Sequence, residues 1–107
     1  MAKAGSVVVF KMINGEEIIG EVFNHYDQTV VLKKPAQIMV QQNAQGQMGV
    51  GLAPYMPYVE GNVRLYRNAI ASEGDPVDQM KNEYNRLFGV GIQIAPASAL
   101  AGLQVAS

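Results

Sequence analysis

Three adjacent residues, His25, Tyr26 and Asp27, are the first candidates for binding chemistry in this sequence. They lie in a short polar stretch between two apolar runs, which is typical of a turn. Planar rings in such a turn can stack on nucleic-acid bases, and each stacked base contributes about 1–3 kcal/mol. The alternative is that Tyr26 packs on the edge of the fold while His25 is simply solvated.

Four basic residues supply a second possible part of a nucleic-acid site. As a stripe they would contact phosphates, whereas as separate charges on exposed strands they would protect sheet edges and keep them solvated. These residues are Lys33, Lys34, Arg64 and Arg67.

Two prolines are interleaved with aromatic residues in the segment Pro54-Tyr55-Met56-Pro57-Tyr58. Proline interrupts strand pairing, so this segment is expected to be an extended connector. A stiff loop presents side chains for binding at low entropic cost. The same side chains could instead seal the bottom of the fold or a subunit contact.

Catalytic chemistry finds little support in the sequence. There is no cysteine and only one histidine, which excludes a thiolate nucleophile, a zinc ribbon and a multi-histidine metal site. Glu16 and Glu17 are neighbours in a predicted strand and therefore point to opposite faces. Gly89-Val90-Gly91 lacks the strand and helix that a phosphate-binding loop needs. We expect no enzyme activity, no catalytic or metal-ligating residue, and no cofactor.

Length and charge indicate one small domain that associates with itself. The chain has 107 residues, of which 49% are hydrophobic and only 16% are charged, and its net charge is -1. A near-neutral charge argues against non-specific nucleic-acid binding through a global basic field. Apolar stretches fall short of the ~20 residues that span a bilayer. We therefore expect a cytoplasmic location and no membrane partner.

The pattern of apolar residues predicts short strands followed by one helix. Residues 6–13 are β-branched and aromatic and end at Asn14-Gly15, the favoured two-residue hairpin turn. Gly20 falls in the middle of the next strand and predicts a bend. Further strands are expected at 29–32, 36–42, 48–52 and 63–70.

Asp75-Pro76 begins an amphipathic helix that continues to Phe88. These elements favour a mainly β fold, a small strongly bent barrel with one C-terminal α-helix. The barrel would cover residues 6–72 and the helix residues 76–88, within a domain of residues 1–94. A flexible tail would follow at 95–107.

The spacing of the turn glycine, the mid-strand glycine and the aspartate resembles the first motif of the Sm-like proteins. The corresponding residues are Ile13, Gly15, Ile18, Gly20, Val22, Asp27 and Leu32. The shorter second motif resembles residues 59–66. The proline-tyrosine connector and the helix after the barrel resemble the small Sm-like proteins of marine cyanophages.

This resemblance implies a five-stranded antiparallel barrel whose copies assemble into a closed homo-oligomeric ring of five to seven subunits. The last strand of one subunit would pair with the fourth strand of the next, which leaves no open edge. The candidate interface residues are Ile38, Val40, Val63, Leu65 and Tyr66.

The resemblance also implies single-stranded RNA near the pore of the ring. The candidate RNA-binding residues are His25, Tyr26, Asp27, Gly61, Asn62 and Arg64. By spacing, however, Val30 and Glu60 stand where the family has a base-contacting asparagine and an arginine. Valine cannot hydrogen-bond a base edge, and glutamate repels phosphate. The alternative is an oligomeric interaction or assembly module that binds a phage or host protein instead of RNA.

Overall fold

A computed structural model describes residues 5–88 of the chain, and it confirms the fold class predicted from the sequence. The protein is mainly β, a small and strongly bent antiparallel barrel of Sm-like form with one helix at its C-terminal side. The elements in chain order are β1 (Val7–Met12), β2 (Glu17–His25), β3 (Thr29–Gln42), β4 (Met48–Pro54), β5 (Val63–Tyr66), a 3-10 turn (Arg67–Ala69), β6 (Ile70–Gly74) and α1 (Asp78–Phe88).

The hairpin between β1 and β2 is one residue longer than the predicted Asn-Gly turn. Met12 donates its N–H to the Glu16 carbonyl at 2.8 Å, and Gly15 donates to the Met12 carbonyl at 2.9 Å. The loop therefore contains residues 13–15. Gly15 has a φ of 94°, a left-handed conformation that glycine adopts without steric cost, and a three-residue hairpin loop commonly ends in this way.

Strand β3 organises the sheet because it pairs with three other strands. The order is β4-β3-β2-β1-β6, and β5 also pairs with β3. Strand β2 occupies one edge of β3. Strands β4 and β5 therefore lie end to end along the other edge of β3. Pro54 is opposite Ala36 and Val63 is opposite Leu32, so residues 55–62 leave the sheet between them. We call these eight residues the excursion loop.

Both central strands bend where the barrel curves. The register of β2 shifts between Ile19 and Glu21, which confirms the bend predicted at Gly20. A Cβ atom on Gly20 would lie 3.0 Å from Leu32 Cδ1 and 3.4 Å from Pro35 Cα, so any larger residue here would require Leu32 to shift. The sequence predicted separate strands on either side of Pro35. Instead β3 is continuous through Pro35 and turns at Lys34, whose φ is 45°.

The last predicted strand, 63–70, is also divided differently in the structure. Strand β5 ends at Tyr66, the 3-10 turn changes the chain direction, and β6 continues to Gly74. Strand β6 then pairs with β1. This break could not be predicted, because residues 66–70 contain neither glycine nor proline.

Two apolar clusters stabilise the barrel. The first fills its interior, and the second lies between the sheet and α1. The interior cluster contains Val8, Phe10, Met12, Ile18, Val22, Val30, Leu32, Val63 and Leu65. The second contains Ile19, Ala36, Leu52 and Tyr84, with Met80, Leu87 and Phe88 packed against it. The predicted apolar face of the helix is confirmed at these positions. The helix begins at Asp78, two residues after the predicted start at residue 76, so Val77 precedes it and is 73% exposed.

Tyr84 connects α1 to the bend of the barrel through its hydroxyl group. The single hydroxyl hydrogen is shared between the carbonyl oxygens of Lys33 and Lys34, which lie 2.9 and 3.0 Å from the hydroxyl oxygen, and this oxygen accepts the N–H of Glu21 at 3.1 Å. The excursion loop has left β3 at this point, so the tyrosine satisfies carbonyl groups that a neighbouring strand would otherwise bind. Burial raises the pKa of Tyr84 to about 12.

Within residues 5–88, no helix is long and apolar enough to cross a membrane. The predicted tail at 95–107 and the predicted end of the domain at residue 94 lie outside the described residues.

Candidate functional site

The turn between β2 and β3 is held against the 3-10 turn at one end of the barrel. Tyr26 donates its N–H to the Thr29 carbonyl at 2.7 Å, which closes the β2–β3 turn. Arg67 donates its backbone N–H to the Gln28 carbonyl at 2.9 Å and its Nε to the Tyr26 carbonyl at 2.7 Å. These contacts join two segments 41 residues apart in the sequence. We call residues 24–28 and 66–68 together the rim.

Two tyrosine side chains are exposed at the rim. Tyr26 is 54% exposed and Tyr66 is 56% exposed. Tyr66 is opposite Thr29 in the pairing of β3 with β5, so it lies where the β2–β3 turn ends and β3 begins. Asn24 donates its Nδ2 to the Tyr26 hydroxyl at 3.1 Å and accepts the His25 N–H at 2.8 Å, which gives the turn a defined conformation. Exposed rings on a fixed turn are suited to stacking.

Positive charge extends from the rim along the outer face of the sheet. Arg64 and Tyr66 point outward from β5, because Val63 and Leu65 between them are buried. On the adjacent strands, the Lys33 ammonium lies 5.5 Å from the centre of the exposed Phe23 ring. Lys33 also contacts the Glu21 carboxylate at 3.7 Å. This face therefore alternates cations with aromatic rings, but one of its cations already has an anionic neighbour.

The structure brings together only part of the predicted RNA-binding set. His25, Tyr26 and Asp27 lie at the rim, and Asp27 is exposed there. Gly61 and Asn62 belong to the excursion loop, at the opposite end of β5. Arg64 lies between these two places, opposite Val31. The residue that contacts the β2–β3 turn from the second half of the chain is Arg67.

The two departures from the family pattern acquire a different meaning in the structure. Glu60 lies in the excursion loop and is exposed, so it is not next to the rim. Val30 is 3% exposed and belongs to the interior cluster. Its side chain stabilises the barrel and does not face the rim surface. Neither residue places an unfavourable group beside Tyr26.

The excursion loop forms a second exposed surface. Tyr58 is 99% exposed, Met56 45% and Val59 41%, and the Val59 N–H is bound by the Met56 carbonyl at 3.1 Å. Tyr55 has a different role, because it packs against the interior cluster and its hydroxyl lies 3.5 Å from Glu16 Oε1. Burial and the nearby Glu16 carboxylate raise the pKa of Tyr55. The alternatives for this segment therefore apply to different residues: Tyr55 seals the barrel, and Tyr58 is free to bind.

Two strand edges remain open within residues 5–88. Strand β6 pairs with β1 alone, and β4 and β5 pair with β3 alone. Among the candidate interface residues, Val40 and Tyr66 are more than half exposed. Val63 and Leu65 are buried in the interior of their own barrel, so they would meet a neighbour through the backbone. Ile38 packs against the helix cluster.

No described group of three or more histidine, cysteine, aspartate or glutamate side chains could hold a metal ion within residues 5–88. A scan against protein-family models and a search of curated proteins found no match to this chain.

Proposed function

We propose that the protein is an Sm-like ring-forming protein that binds single-stranded RNA at the rim. The observation that carries the RNA-binding proposal is the pair of contacts from Arg67 to the β2–β3 turn, because they place Tyr26 and Tyr66 on one end of the barrel. Aromatic rings beside cations are the usual composition of a single-strand binding surface. In a ring, equivalent rims of successive subunits would offer a repeated series of stacking positions.

Ring formation is supported by the two open edges of the sheet. An unpaired strand exposes backbone N–H and C=O groups that favour pairing with another chain. The edge of β6 and the edge of β4 and β5 are different surfaces, so their pairing is head to tail and closes into a ring when the rotation angle permits. Self-association would also cover apolar surface in a chain with few charges.

The resemblance to Sm-like proteins of marine cyanophages adds a biological setting to the proposal. We expect the ring to act in the cytoplasm of an infected host. In that setting single-stranded RNA and host proteins are both available as partners.

RNA binding is tested by titrating labelled U-rich and A-rich oligonucleotides with the full chain at low salt. Loss of one stacked ring is expected to weaken binding by roughly 5- to 150-fold, which corresponds to about 1–3 kcal/mol. Tyr26→Ala and Tyr66→Ala should both show this loss. Tyr58→Ala is the matched control, because Tyr58 is a fully exposed tyrosine away from the rim. Binding should also weaken as salt concentration increases.

The RNA proposal is wrong if the oligonucleotides do not bind at tens of micromolar protein. It is also wrong if Tyr26→Ala and Tyr66→Ala bind as tightly as the unchanged protein. Circular dichroism of each variant shows whether the fold is retained.

A second function is favoured by the excursion loop. Tyr58, Met56 and Val59 form an exposed apolar surface on a proline-containing loop, which is a common composition for a protein contact. On this alternative the ring is an interaction or assembly module without RNA binding. Affinity purification with the unchanged protein and with Tyr58→Ala distinguishes the two functions. A protein partner that is lost with Tyr58→Ala and retained with Tyr26→Ala supports the second function, whereas recovery of RNA alone contradicts it.

A further inference from the structure

A groove with a volume of about 480 Å³ lies on the outer face of the sheet, beside the beginning of α1. Strands β1 to β4 and the connection from β6 to α1 contribute to its lining. Three of the lining residues, Val9, Ile38 and Met80, also pack against the apolar cluster between the sheet and α1. The groove is therefore the part of this apolar face that α1 does not cover. We call it the sheet groove.

The β3–β4 hairpin carries the apolar face beyond the helix. Ile38 is opposite Leu52, and Val40 is opposite Val50. Residues two apart in a strand share a face, so these four side chains form one stripe. Leu52 is 5% exposed in the cluster beneath the helix, whereas Val40 is 59% exposed. On the helix side of the groove Val77 is 73% exposed. A continuous apolar surface of this kind is typical of an interaction site.

The sheet groove is negatively charged at the end where β6 leads to α1. Its lining contains three acidic residues, Glu17, Glu73 and Asp75, and one basic residue, Lys11. Lys11 is opposite Glu17 in the pairing of β1 with β2, so these two charges offset each other. Glu73 and Asp75 are exposed and belong to the β6–α1 end. The groove thus has an acidic end and an apolar end.

We propose that the sheet groove binds a short amphipathic helix of another protein, with its apolar side chains on the β3–β4 stripe and a lysine or arginine beside Glu73 and Asp75. Strands β1 and β2 lie between β6 and β3, so the two ends of the groove are roughly 14 Å apart along the sheet. A helix of about ten residues spans this distance. Laying one apolar helix face into a groove is a common mode of peptide recognition.

Charge favours a basic peptide over two other occupants. The excursion loop of a second copy offers exposed apolar side chains, but its only charged residue is Glu60, which would meet the acidic end of the groove with a like charge. A nucleic acid would bring phosphates to the same carboxylates. The proposal therefore concerns a surface separate from the rim, and it does not rest on RNA binding or on ring formation.

Fluorescence anisotropy with the full chain tests the proposal. The probe is a labelled helical peptide of about ten residues, with leucines on one face and lysines at one end. The comparison peptide has glutamate in place of each lysine. We expect the basic peptide to bind at least about tenfold more tightly, and its affinity to decrease as salt concentration increases. Equal affinity of the two peptides, or no binding of either at hundreds of micromolar protein, would overturn the proposal.

Two pairs of variants locate the binding. Val40→Ser should weaken binding of the basic peptide about fivefold, whereas Val59→Ser, an exposed valine of the excursion loop, is the control and should not. Glu73→Gln should weaken binding about two- to fourfold at low salt, with Glu60→Gln as its control. If the two controls lose affinity and the groove variants do not, the peptide binds the excursion loop and the proposal is wrong.

Nuclear magnetic resonance of the unchanged protein gives a result that does not depend on the folding of the variants. Addition of the basic peptide should shift the amide signals of Val40, Val50 and Val77 more than those of residues 56–60. Larger shifts in residues 56–60 would contradict the proposal. Shifts of the groove amides on dilution without peptide would assign the groove to a second copy and would also contradict it.

Discussion

Replacing Tyr84 with phenylalanine removes one oxygen atom from the buried face of α1 and leaves the ring in place. The lost hydroxyl is bound to three backbone groups, the N–H of Glu21 and the carbonyl oxygens of Lys33 and Lys34. All three lie at the bend of the barrel, beside the point where β3 turns. Tyr84 itself is 1% exposed, so water cannot easily replace the missing oxygen.

The expected loss of stability follows from the unsatisfied groups. A buried donor or acceptor left without a partner costs about 1–3 kcal/mol. Tyr84→Phe leaves the Glu21 N–H and the carbonyl oxygens of Lys33 and Lys34 without their hydroxyl partner. We take about 2 kcal/mol as the expected decrease in the free energy of unfolding. For a domain of this size, that corresponds to a decrease in Tm of about 8 °C.

Urea unfolding followed by circular dichroism measures this change. Tyr58→Phe is the control, because it removes the same atom from a side chain that is 99% exposed, and its free energy of unfolding should be unchanged. If Tyr84→Phe is as stable as the unchanged protein, the hydroxyl does not stabilise the attachment of α1 to the barrel. In that case apolar packing alone would account for the position of the helix.

Three further predictions concern stability. The pKa of Tyr84 is about 12 in the folded protein against 10.0 for a free tyrosine, so the stabilisation by its neutral hydroxyl is complete below pH 10 and is lost between about pH 10 and 12. The difference in unfolding free energy between the unchanged protein and Tyr84→Phe should therefore decrease across that range. A constant difference would contradict the raised pKa. Gly20→Ala brings a Cβ atom to 3.0 Å from Leu32 and should lower the free energy of unfolding, measured in urea, by about 1–3 kcal/mol. In the control Gly74→Ala the new Cβ atom meets no atom within 4 Å, so the free energy of unfolding should not change, and equal effects would argue against the close approach at the bend. Asn43→Ala removes an acceptor for two N–H groups in the β3–β4 loop and should speed amide exchange there without changing exchange in the barrel; faster exchange throughout would mean that this loop unfolds together with the barrel.

Strands β1, β2 and β4, the bend and the helix could be predicted because each depends on neighbouring residues. The bend at Gly20 follows from a glycine within an apolar run, and the helix follows from an aspartate, a proline and an apolar period of 3.6 residues. The predicted length of the β1–β2 loop was wrong by one residue. Such an error is expected where the choice between hairpin turns depends on backbone geometry.

The contribution of residues 66–68 to the rim could not be predicted, because it depends on a long-range contact. Arg67 reaches the Tyr26 carbonyl only because the 3-10 turn interrupts what the sequence presents as a continuous strand. Spacing alone instead placed Glu60 at the position of the family's arginine. Likewise, Tyr55 and Tyr58 are alike in sequence context, and only the folded chain shows that Tyr55 packs against the interior cluster while Tyr58 is exposed.

The central claim, a ring closed by head-to-tail strand pairing, is tested most directly by native mass spectrometry of the full chain at micromolar concentration. The open edges of β6 and of β4 and β5 predict one closed species at five to seven times the subunit mass of 11.6 kDa. Addition of a U-rich oligonucleotide should then increase that mass by the mass of bound RNA. A single species at 11.6 kDa would contradict the ring, because it would show that both edges remain unpaired in solution.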